Sequence, residues 1–472
     1  MTTLEQWIAP RGAANGGRSG FRLLANGLDA FVARATLIEL AERTLDLQYY
    51  IFHPDQTGSL VTDRLVAAAD RGVRVRVLLD DWGTMDKNDA AVAALDAHPQ
   101  IEIRLFNPYI HRTGLGRLAE LITSFTRVNR RMHNKQLIAD GVGVVLGGRN
   151  IGDEYFSVGE LDFQDVDVLV VGPLVQQSAQ SFESYWNSDW AVPADRLVHA
   201  DRKESAAARQ ALQQRCEQLA DSPYGRALAE SSLASELRSQ DPHLHWAGAR
   251  IIADPPEKLK KPPGTRSDAF LGGQLSPYAR AVRSGMLVVS PYFVPGKDGV
   301  AFFGEQRRGG VDIRVLTNSL AATDVWLVHA GYMKYRRPLL QAGVKLYELR
   351  PEAAGARGPH VSGIAIGSSR ASLHAKTFVF DRTSVFIGSV NIDARSLEQN
   401  TEVGVLVESP ELAAQVADLF DRWASPALSY EVTRGAGGRL EWTGGFTSEP
   451  NAGFWRPLGA KFFSHLPIES LI

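Results

Sequence analysis

The chain has 472 residues, more than one ordinary hydrophobic core accommodates, so two or more domains are expected. With 44% hydrophobic and 22% charged residues it has the composition of a soluble globular enzyme, and its net charge of −2 argues against a protein that coats nucleic acid. The single cysteine, Cys216, excludes an internal disulfide. The sequence shows neither a signal-peptide pattern nor an apolar run near the roughly 20 residues that span a bilayer, so any membrane contact is expected to be peripheral.

Apolar strands alternate with Ala-rich helical patterns along both halves of the chain, which predicts layered α/β structure. In chain order, the first half gives predicted elements at 45–52, 59–71, 71–79, 89–97, 101–108, 164–172 and 181–186. The join at 200–240 is rich in Ala, Glu, Gln and Arg and is predicted to be helical. The second half repeats the pattern, with predicted elements at 286–293, 309–317, 344–351, 401–409 and 418–423.

Self-similarity on this scale predicts a duplicated domain. We predict an N-terminal α/β domain over 1–200, a helical linker over 201–244 and a second α/β domain over 245–430. An aromatic-rich extension, 431–472, either folds over the core or forms an interfacial anchor or the wall of an acyl groove. The predicted fold class is therefore α/β, with two homologous domains related by a pseudo-two-fold axis and a site between them.

One motif occurs once in each half. It lies in MHNKQLIADGVGVVLGGRN (132–150) and again in LHAKTFVFDRTSVFIGSVN (373–391). At identical spacing the two copies contain His133, Lys135, Asp140, Gly147 and Asn150, and then His374, Lys376, Asp381, Gly388 and Asn391. A lone His-x-Lys in a strand is usually a chance occurrence. Agreement at five positions inside a longer repeat indicates a functional site instead.

The spacing predicts which motif residues act together. In a strand, alternate residues share a face, so each histidine and its lysine project together about 6.6 Å apart. Asp140 and Asp381 lie about 23 Å further along an extended chain and open turns, so we interpret both as structural. The returning strand brings back a Gly-rich end that offers close backbone donors and an Asn amide, with Gly148 or Ser389 beside it. Together these groups are of the kinds that bind a phosphoryl group.

Each imidazole needs an acceptor that fixes its tautomer. Aligning VDVLV with VGVLV makes Asp165 and Glu402 equivalent carboxylates, and these are our candidates, with Asp167 as a neighbouring competitor. Two half-sites suggest one joint site, in which one histidine attacks phosphorus while the other acts as general acid and base. Two lysines and two asparagines would neutralise the phosphoryl oxygens, so we expect neither a metal nor another cofactor.

The basic segment GLGRLAELITSFTRVNRR (114–131) precedes the first motif. It is predicted either to pack on its own domain with its arginines in water or to form a lip that contacts anionic lipid headgroups. The stretch YFVPG (292–296) is a further candidate for lining the pocket.

Both motifs match the double His-x-Lys-x4-Asp signature of the phospholipase D superfamily, which the chain resembles over nearly its whole length. Within it the chain looks closest to the bacterial cardiolipin synthases, and the lack of N-terminal membrane helices and the LPIESLI ending resemble the C-type branch. The similar stretches are RMHNKQLIADG, GGRNIGDEYF, PYFVPG, VHAGYMKYRRPLLQAGVKLYELRP, LHAKTFVFD, IGSVNIDARS and NTEVGVL. The sequence departs from symmetry at Gly148, where the second copy has Ser389, so a hydroxyl contact on one side only is expected.

The resemblance implies a bilobed α/β/α architecture and metal-independent chemistry through a phosphatidyl-histidine intermediate. It implies transfer of a phosphatidyl group from phosphatidylglycerol or phosphatidylethanolamine to phosphatidylglycerol, with His133 as nucleophile and His374 as general acid and base. The expected partners are phospholipids at a membrane surface. The expected location is the cytoplasm, in peripheral association with the inner membrane, and the sequence identifies no accessory protein.

Three alternatives stay open. The first is a phospholipase D hydrolase, in which water replaces the lipid acceptor and phosphatidic acid is released by the same chemistry. The second is a phosphodiesterase or nuclease of the same superfamily, which the acidic balance of the chain disfavours. The third is a non-enzymatic lipid-binding module, which would tolerate loss of one member of the paired residues, yet both sets are intact.

Overall fold

A computed structural model describes residues 1–83, 89–111, 116, 120, 123–156, 162–198, 202–353, 371–453 and 455–464. Parts of the basic segment 114–131 and of the extension 431–472, including the LPIESLI ending, lie outside the described residues.

Seventeen strands of the described chain form one sheet, and two short strands pair separately. The strands are β1 Ser19–Leu24, β2 Thr44–Ile51, β3 Arg74–Gly83, β4 Ile101–Phe106, β5 Gln136–Ala139, β6 Gly143–Gly147, β7 Asp162–Gln164, β8 Asp167–Val171, β9 Ala191–Pro193, β10 His245–Ala253, β11 Gly285–Val289, β12 Asp312–Asn318, β13 Lys345–Leu349, β14 Ala371–Leu373, β15 Lys376–Phe380, β16 Ser384–Gly388, β17 Val403–Glu408, β18 Ser429–Arg434 and β19 Leu440–Trp442.

Helices cover the sheet on both faces. They are α1 Thr3–Ala14, α2 Gly27–Leu40, α3 Gln56–Asp70, α4 Asp89–Asp96, α5 Phe125–Val128, α6 Val175–Trp186, α7 Arg202–Gln218, α8 Pro223–Glu230, α9 Ser232–Arg238, α10 Leu271–Ala281, α11 Gly296–Arg308, α12 Trp326–Met333, α13 Arg336–Gln341, α14 Pro410–Trp423 and α15 Trp455–Phe463.

The strand order shows the duplication. The first half runs β9-β4-β3-β2-β5-β6-β8-β1 across the sheet. The second half continues β10-β17-β16-β15-β11-β12-β13-β18-β19. In both halves, strands joined by helical crossovers are parallel, and the motif hairpin, β5-β6 or β15-β16, pairs antiparallel beside them. The α/β duplication predicted from the sequence is confirmed.

The two halves are joined by a short antiparallel contact between β1 and β10. Gly20 pairs with Trp246 at its centre, so one sheet runs through both halves. One hydrophobic core includes residues of both halves, with Phe182 and Trp186 of α6 and Leu412 and Phe420 of α14 among its members. Separate cores lie under the outer helices of each half. Because apolar packing is continuous across the join, the ends of the two motif hairpins are held at fixed positions.

Candidate active site

Each motif histidine lies just before its strand rather than within it. The first strand of the motif begins at Gln136, beyond Lys135, and the second begins at Lys376. The prediction that His133 and His374 lie on the strands themselves is therefore wrong. The reason is that the backbone N–H of each histidine donates to the opposite half, His133 to the carbonyl of Thr401 and His374 to that of Gln164, both at 2.8 Å.

Each motif lysine folds back on its own histidine. The Nζ atom of Lys135 donates to the backbone carbonyl of His133 at 2.6 Å, and Lys376 makes the equivalent bond to His374. Both side chains are buried, and burial is the main reason that their pKa values fall. The pKa of Lys135 lies well below its ordinary value, and that of Lys376 falls to about 8. Burial therefore disfavours the charged form of both lysines, and a bound anion would favour it.

The candidate carboxylates reach the histidines across the two halves. His133 Nδ1 lies 2.9 Å from Oε2 of Glu402, and His374 Nδ1 lies 2.5 Å from Oδ2 of Asp165. The competitor, Asp167, is instead ion-paired with buried Arg34 at 2.9 Å. A carboxylate that accepts from Nδ1 leaves Nε2 of each imidazole for chemistry. Each half thus supplies one histidine and the acceptor of the other.

Burial keeps both histidines neutral in the resting protein. It lowers the pKa of His133 well below the ordinary value and that of His374 to about 4, and the motif lysines add to both shifts. Lys376 of the second half acts on His133, and Lys135 of the first half acts on His374. The four groups of the two motifs are therefore within electrostatic range of one another, as one joint site requires.

The two carboxyl groups differ in charge. Burial raises the pKa of Glu402 to about 7, against the opposing effect of Lys135. The pKa of Asp165 lies well below its usual range because His374 and Lys376 outweigh its burial. Asp165 is therefore a carboxylate near neutral pH, whereas Glu402 is divided between its two protonation states.

The Gly148–Ser389 difference produces a real asymmetry. A Cβ atom at Gly148 would lie 2.2 Å from Oδ1 of Asp165, so only glycine fits there. The hydroxyl of Ser389 donates to Glu402, and its backbone N–H donates to Val403 at 2.9 Å. The serine hydroxyl is thus used inside the protein, on the carboxyl group that serves His133.

The motif asparagines lie on either side of the same region. Asn150 accepts from the backbone N–H of Ile51 at 3.1 Å through its side-chain oxygen. Asn391 is buried, and its side-chain oxygen has no hydrogen-bond partner among the described residues. Binding of a phosphoryl group by Asn150, Asn391, Gly148 or Ser389 stays a prediction.

The motif aspartates lie at the far ends of their hairpins, where both adopt φ of 51°. Asp140 accepts backbone N–H bonds from Glu42, Arg43 and Thr44, at the start of β2. Asp381 makes the equivalent bonds to the three residues that precede and begin β11. Each aspartate thus ties its hairpin to the neighbouring parallel strand, away from the histidines.

A family model described as "Cardiolipin synthase, PLD-like domain" matches residues 35–190 and 280–424. The chain belongs to the cardiolipin synthase family of phospholipase D-like proteins. It is accordingly an enzyme of the phospholipase D superfamily, built from two homologous α/β/α sandwich domains related by a pseudo-two-fold axis.

Members of the cardiolipin synthase family are similar to the chain over most of its length. Cardiolipin synthase C of Escherichia coli K12 is 40% identical over 488 residues, which covers 100% of both chains. Cardiolipin synthase A of Pseudomonas syringae pv. syringae is 26% identical over 84% of this chain and 67% of its own. The crystal structure of a phosphatidylserine synthase from Haemophilus influenzae Rd KW20 covers 99% of both chains with a TM-score of 0.60 and 12% identity, a likeness of fold alone.

Sequence reasoning missed a pair of residues that anchor the motifs in this family member. Asp80 accepts from the backbone N–H of Met132 at 2.9 Å, and Asn318 accepts from that of Leu373 at 2.8 Å. Met132 and Leu373 directly precede the histidines. The sequence did contain a signal for both residues. Asp80 in VLLDD and Asn318 in VLTNS are polar residues late in apolar strands, and α/β proteins commonly place site residues at the carboxyl ends of strands.

The described side chains contain no group of three or more His, Cys, Asp or Glu arranged to hold a metal ion. Metal-independent chemistry stays a prediction that rests on the lysines and histidines.

Proposed function

We propose that this protein makes cardiolipin by moving a phosphatidyl group onto phosphatidylglycerol through a phosphatidyl-histidine intermediate. The donor is phosphatidylglycerol or phosphatidylethanolamine, and the released alcohol is glycerol or ethanolamine. The observation that carries the proposal is the reciprocal pairing of His133 with Glu402 and of His374 with Asp165 beside two buried lysines. The similarity to cardiolipin synthase C over the whole chain supports the substrate class.

In the first step, the lone pair on Nε2 of His133 forms a P–N bond while the bond from phosphorus to the leaving oxygen breaks. That oxygen takes a proton from Nε2 of His374, which is neutral in the free protein and becomes protonated in the complex because the negative charge of the bound phosphodiester, beside ionised Asp165, favours the imidazolium. Glu402 suits the nucleophile because its pKa of about 7 lets it take up the Nδ1 proton as the P–N bond forms. Ionised Asp165 suits the acid because a fixed negative charge stabilises the protonated imidazole of His374.

In the second step, Nε2 of His374 takes the proton from a hydroxyl of phosphatidylglycerol, and the alkoxide oxygen attacks phosphorus. The P–N bond then breaks, its electron pair returns to Nε2 of His133, and Glu402 gives the proton back to Nδ1 of His133. Lys135 and Lys376 stabilise the charge on the non-bridging oxygens in both steps, an effect that is large in a buried site.

Peripheral association with the inner membrane, from the cytoplasmic side, is part of the proposal. Two large apolar side chains, Trp82 and Leu397, are exposed close in sequence to residues that act on the site. Trp82 follows Asp80 by two positions, and Leu397 follows Arg395, whose charge acts on His133. Such a rim suits insertion between lipid headgroups. Within the described ranges, no helix has the length and hydrophobicity to cross a bilayer.

Product analysis tests the function. The purified protein is incubated with vesicles of phosphatidylglycerol alone, or mixed with phosphatidylethanolamine, and the lipids and released alcohols are quantified. Cardiolipin with an equal amount of glycerol or ethanolamine is the expected result. Phosphatidic acid without cardiolipin would indicate the hydrolase, and cleavage of DNA with no lipid turnover would indicate the nuclease. Binding of vesicles with no turnover would indicate a lipid-binding module.

The alkaline limb of the pH profile should report Lys376. Its pKa of about 8 means that the cation is present below pH 8 and is lost as the pH rises through that value. We therefore expect kcat/KM, which reports the free enzyme, to fall about tenfold per pH unit above this point. Lys376→Arg, which keeps its charge, should remove this limb even if it lowers the rate. A wild-type profile that stays level up to pH 10 would contradict the assignment.

A further inference from the structure

An apolar channel runs through the first half of the molecule, between α3, α4 and α7. Its volume is about 420 Å³, within the roughly 300–1,000 Å³ range of small-molecule sites. Protein interiors are otherwise close-packed, and an apolar cavity of about 150 Å³ already binds benzene. A space of this size therefore suits an apolar ligand better than an empty core.

The channel is long and begins near the candidate active site. The lining includes Phe52, which directly follows β2, Leu79 in the second half of β3, and Ile101 at the start of β4. On α3 the lining extends from Gly58 to Val66, about 12 Å along the helix axis. This shape suits an extended hydrocarbon chain rather than a compact ring.

Phe52, at one end of the channel, lies close to the first motif, because it pairs with Ile151, which directly follows Asn150. Tyr50 lies two positions before Phe52, and its ring centroid is 5.1 Å from that of His133. Between them, the backbone N–H of Ile51 donates to Asn150. Residues two apart in an extended chain are about 6.6 Å apart, so Phe52 lies close to the tyrosine whose ring contacts His133.

Three of the polar side chains that line the channel have partners elsewhere, whereas the buried hydroxyl of Ser205 has no hydrogen-bond partner among the described residues. The hydroxyl of Ser59 donates to the carbonyl of Asp55 at 2.5 Å. His98 and Arg209 border the end distant from the site, and both contact the carboxylate of Asp70. The roof is formed by α7, which presents small residues such as Ala208 and so leaves the space beneath it open.

We propose that this channel holds one acyl chain of the phospholipid whose phosphate lies between His133 and His374. The inference rests on the proposed function for the identity of that lipid. Apolar lining, an elongated shape that fits part of an acyl chain, and the proximity of Phe52 to the first motif support this occupant. Burial of each methylene in the channel would add affinity for long-chain substrates that short-chain analogues lack.

Narrowing the channel tests the inference. Ala208→Leu adds bulk under the roof, and Ala207→Leu makes the same change at the neighbouring, exposed position of α7. We expect Ala208→Leu to lower kcat/KM for dioleoyl phosphatidylglycerol about tenfold and to leave dihexanoyl phosphatidylglycerol unchanged. Ala207→Leu should match the wild type on both substrates. Equal losses on both lipids in Ala208→Leu, or no loss on either, would overturn the proposal.

Photolabelling separates this inference from the proposed function. Phosphatidylglycerol with a diazirine near the end of one acyl chain should label α3, α4 or α7 of the wild type, and Ala208→Leu should reduce that labelling. If the helices are labelled but the protein makes no cardiolipin, the proposed function would be refuted, whereas the inference that the channel binds an acyl chain would stand. A diazirine fatty acid that labels these helices and is not displaced by phosphatidylglycerol would assign the channel to free fatty acid and overturn the proposal. So would the absence of label from all three helices.

Discussion

Replacing His133 or His374 by alanine is expected to reduce phosphatidyl transfer at least about 10⁴-fold, because in the proposed mechanism one attacks phosphorus and the other transfers the proton. The decrease is measured as cardiolipin formed per folded protein, with the free energy of unfolding of each variant measured in urea. His243→Ala, at an exposed histidine outside the motifs, is the matched control and should match the wild type.

A donor with a good leaving group separates the two roles. With phosphatidyl-p-nitrophenol the leaving oxygen needs no proton, so His374→Ala should still release a burst of p-nitrophenolate, whereas His133→Ala should not. Wild type exposed to labelled lipid and denatured at alkaline pH, where a P–N bond survives, should carry the label on His133. Robust cardiolipin synthesis in either alanine variant would refute the two-histidine scheme, and label on His374 would exchange the roles.

Asp165→Asn is expected to cost about 10³-fold in turnover, and Glu402→Gln only about tenfold. The difference arises because Asp165 is a carboxylate whose charge stabilises protonated His374, and an amide removes that charge. Glu402 has a pKa of about 7 and is already partly protonated at neutral pH, a state that glutamine resembles. Both variants keep the shape of the side chain, so steady-state rates can be compared directly with the wild type.

The same activated donor tests which carboxyl group serves which histidine. Asp165→Asn should recover much of its rate of p-nitrophenolate release, because it acts through His374, which this donor does not need. Glu402→Gln should lose the same factor on both donors, because it acts through His133. The opposite pattern would mean that each carboxyl group serves the histidine of its own half.

Much of the fold could be predicted from hydrophobic pattern alone. The strand predicted at 45–52 is β2, and the helix predicted at 89–97 is α4, because these segments have strong local signals. The strands that join the two halves, β1 and β10, were not predicted. Their pairing brings Gly20 against Trp246, and no local pattern encodes a contact between residues so distant in sequence.

The residues of the site could be predicted from the sequence, but the contacts between them could not. Comparison of the two repeats gave both histidines, both lysines and the carboxyl groups of Asp165 and Glu402. The comparison could not show that each histidine pairs with the carboxyl group of the other half. Alignment gives equivalent positions within the repeats, whereas the partner of each histidine depends on how the two halves pack. The strand prediction failed at His133 for the same reason, since its backbone N–H pairs with Thr401 in the other half.

The exchange of carboxyl groups between halves has a consequence for the ancestry of the molecule. A single repeat on its own would leave its imidazole without an acceptor, but two identical copies about a true dyad would restore both pairs. This is the arrangement expected if an ancestral gene encoded a homodimer and was later duplicated in tandem. In a single chain the two copies can differ, as the pairs Asp165–Gly148 and Glu402–Ser389 do, whereas identical subunits could not.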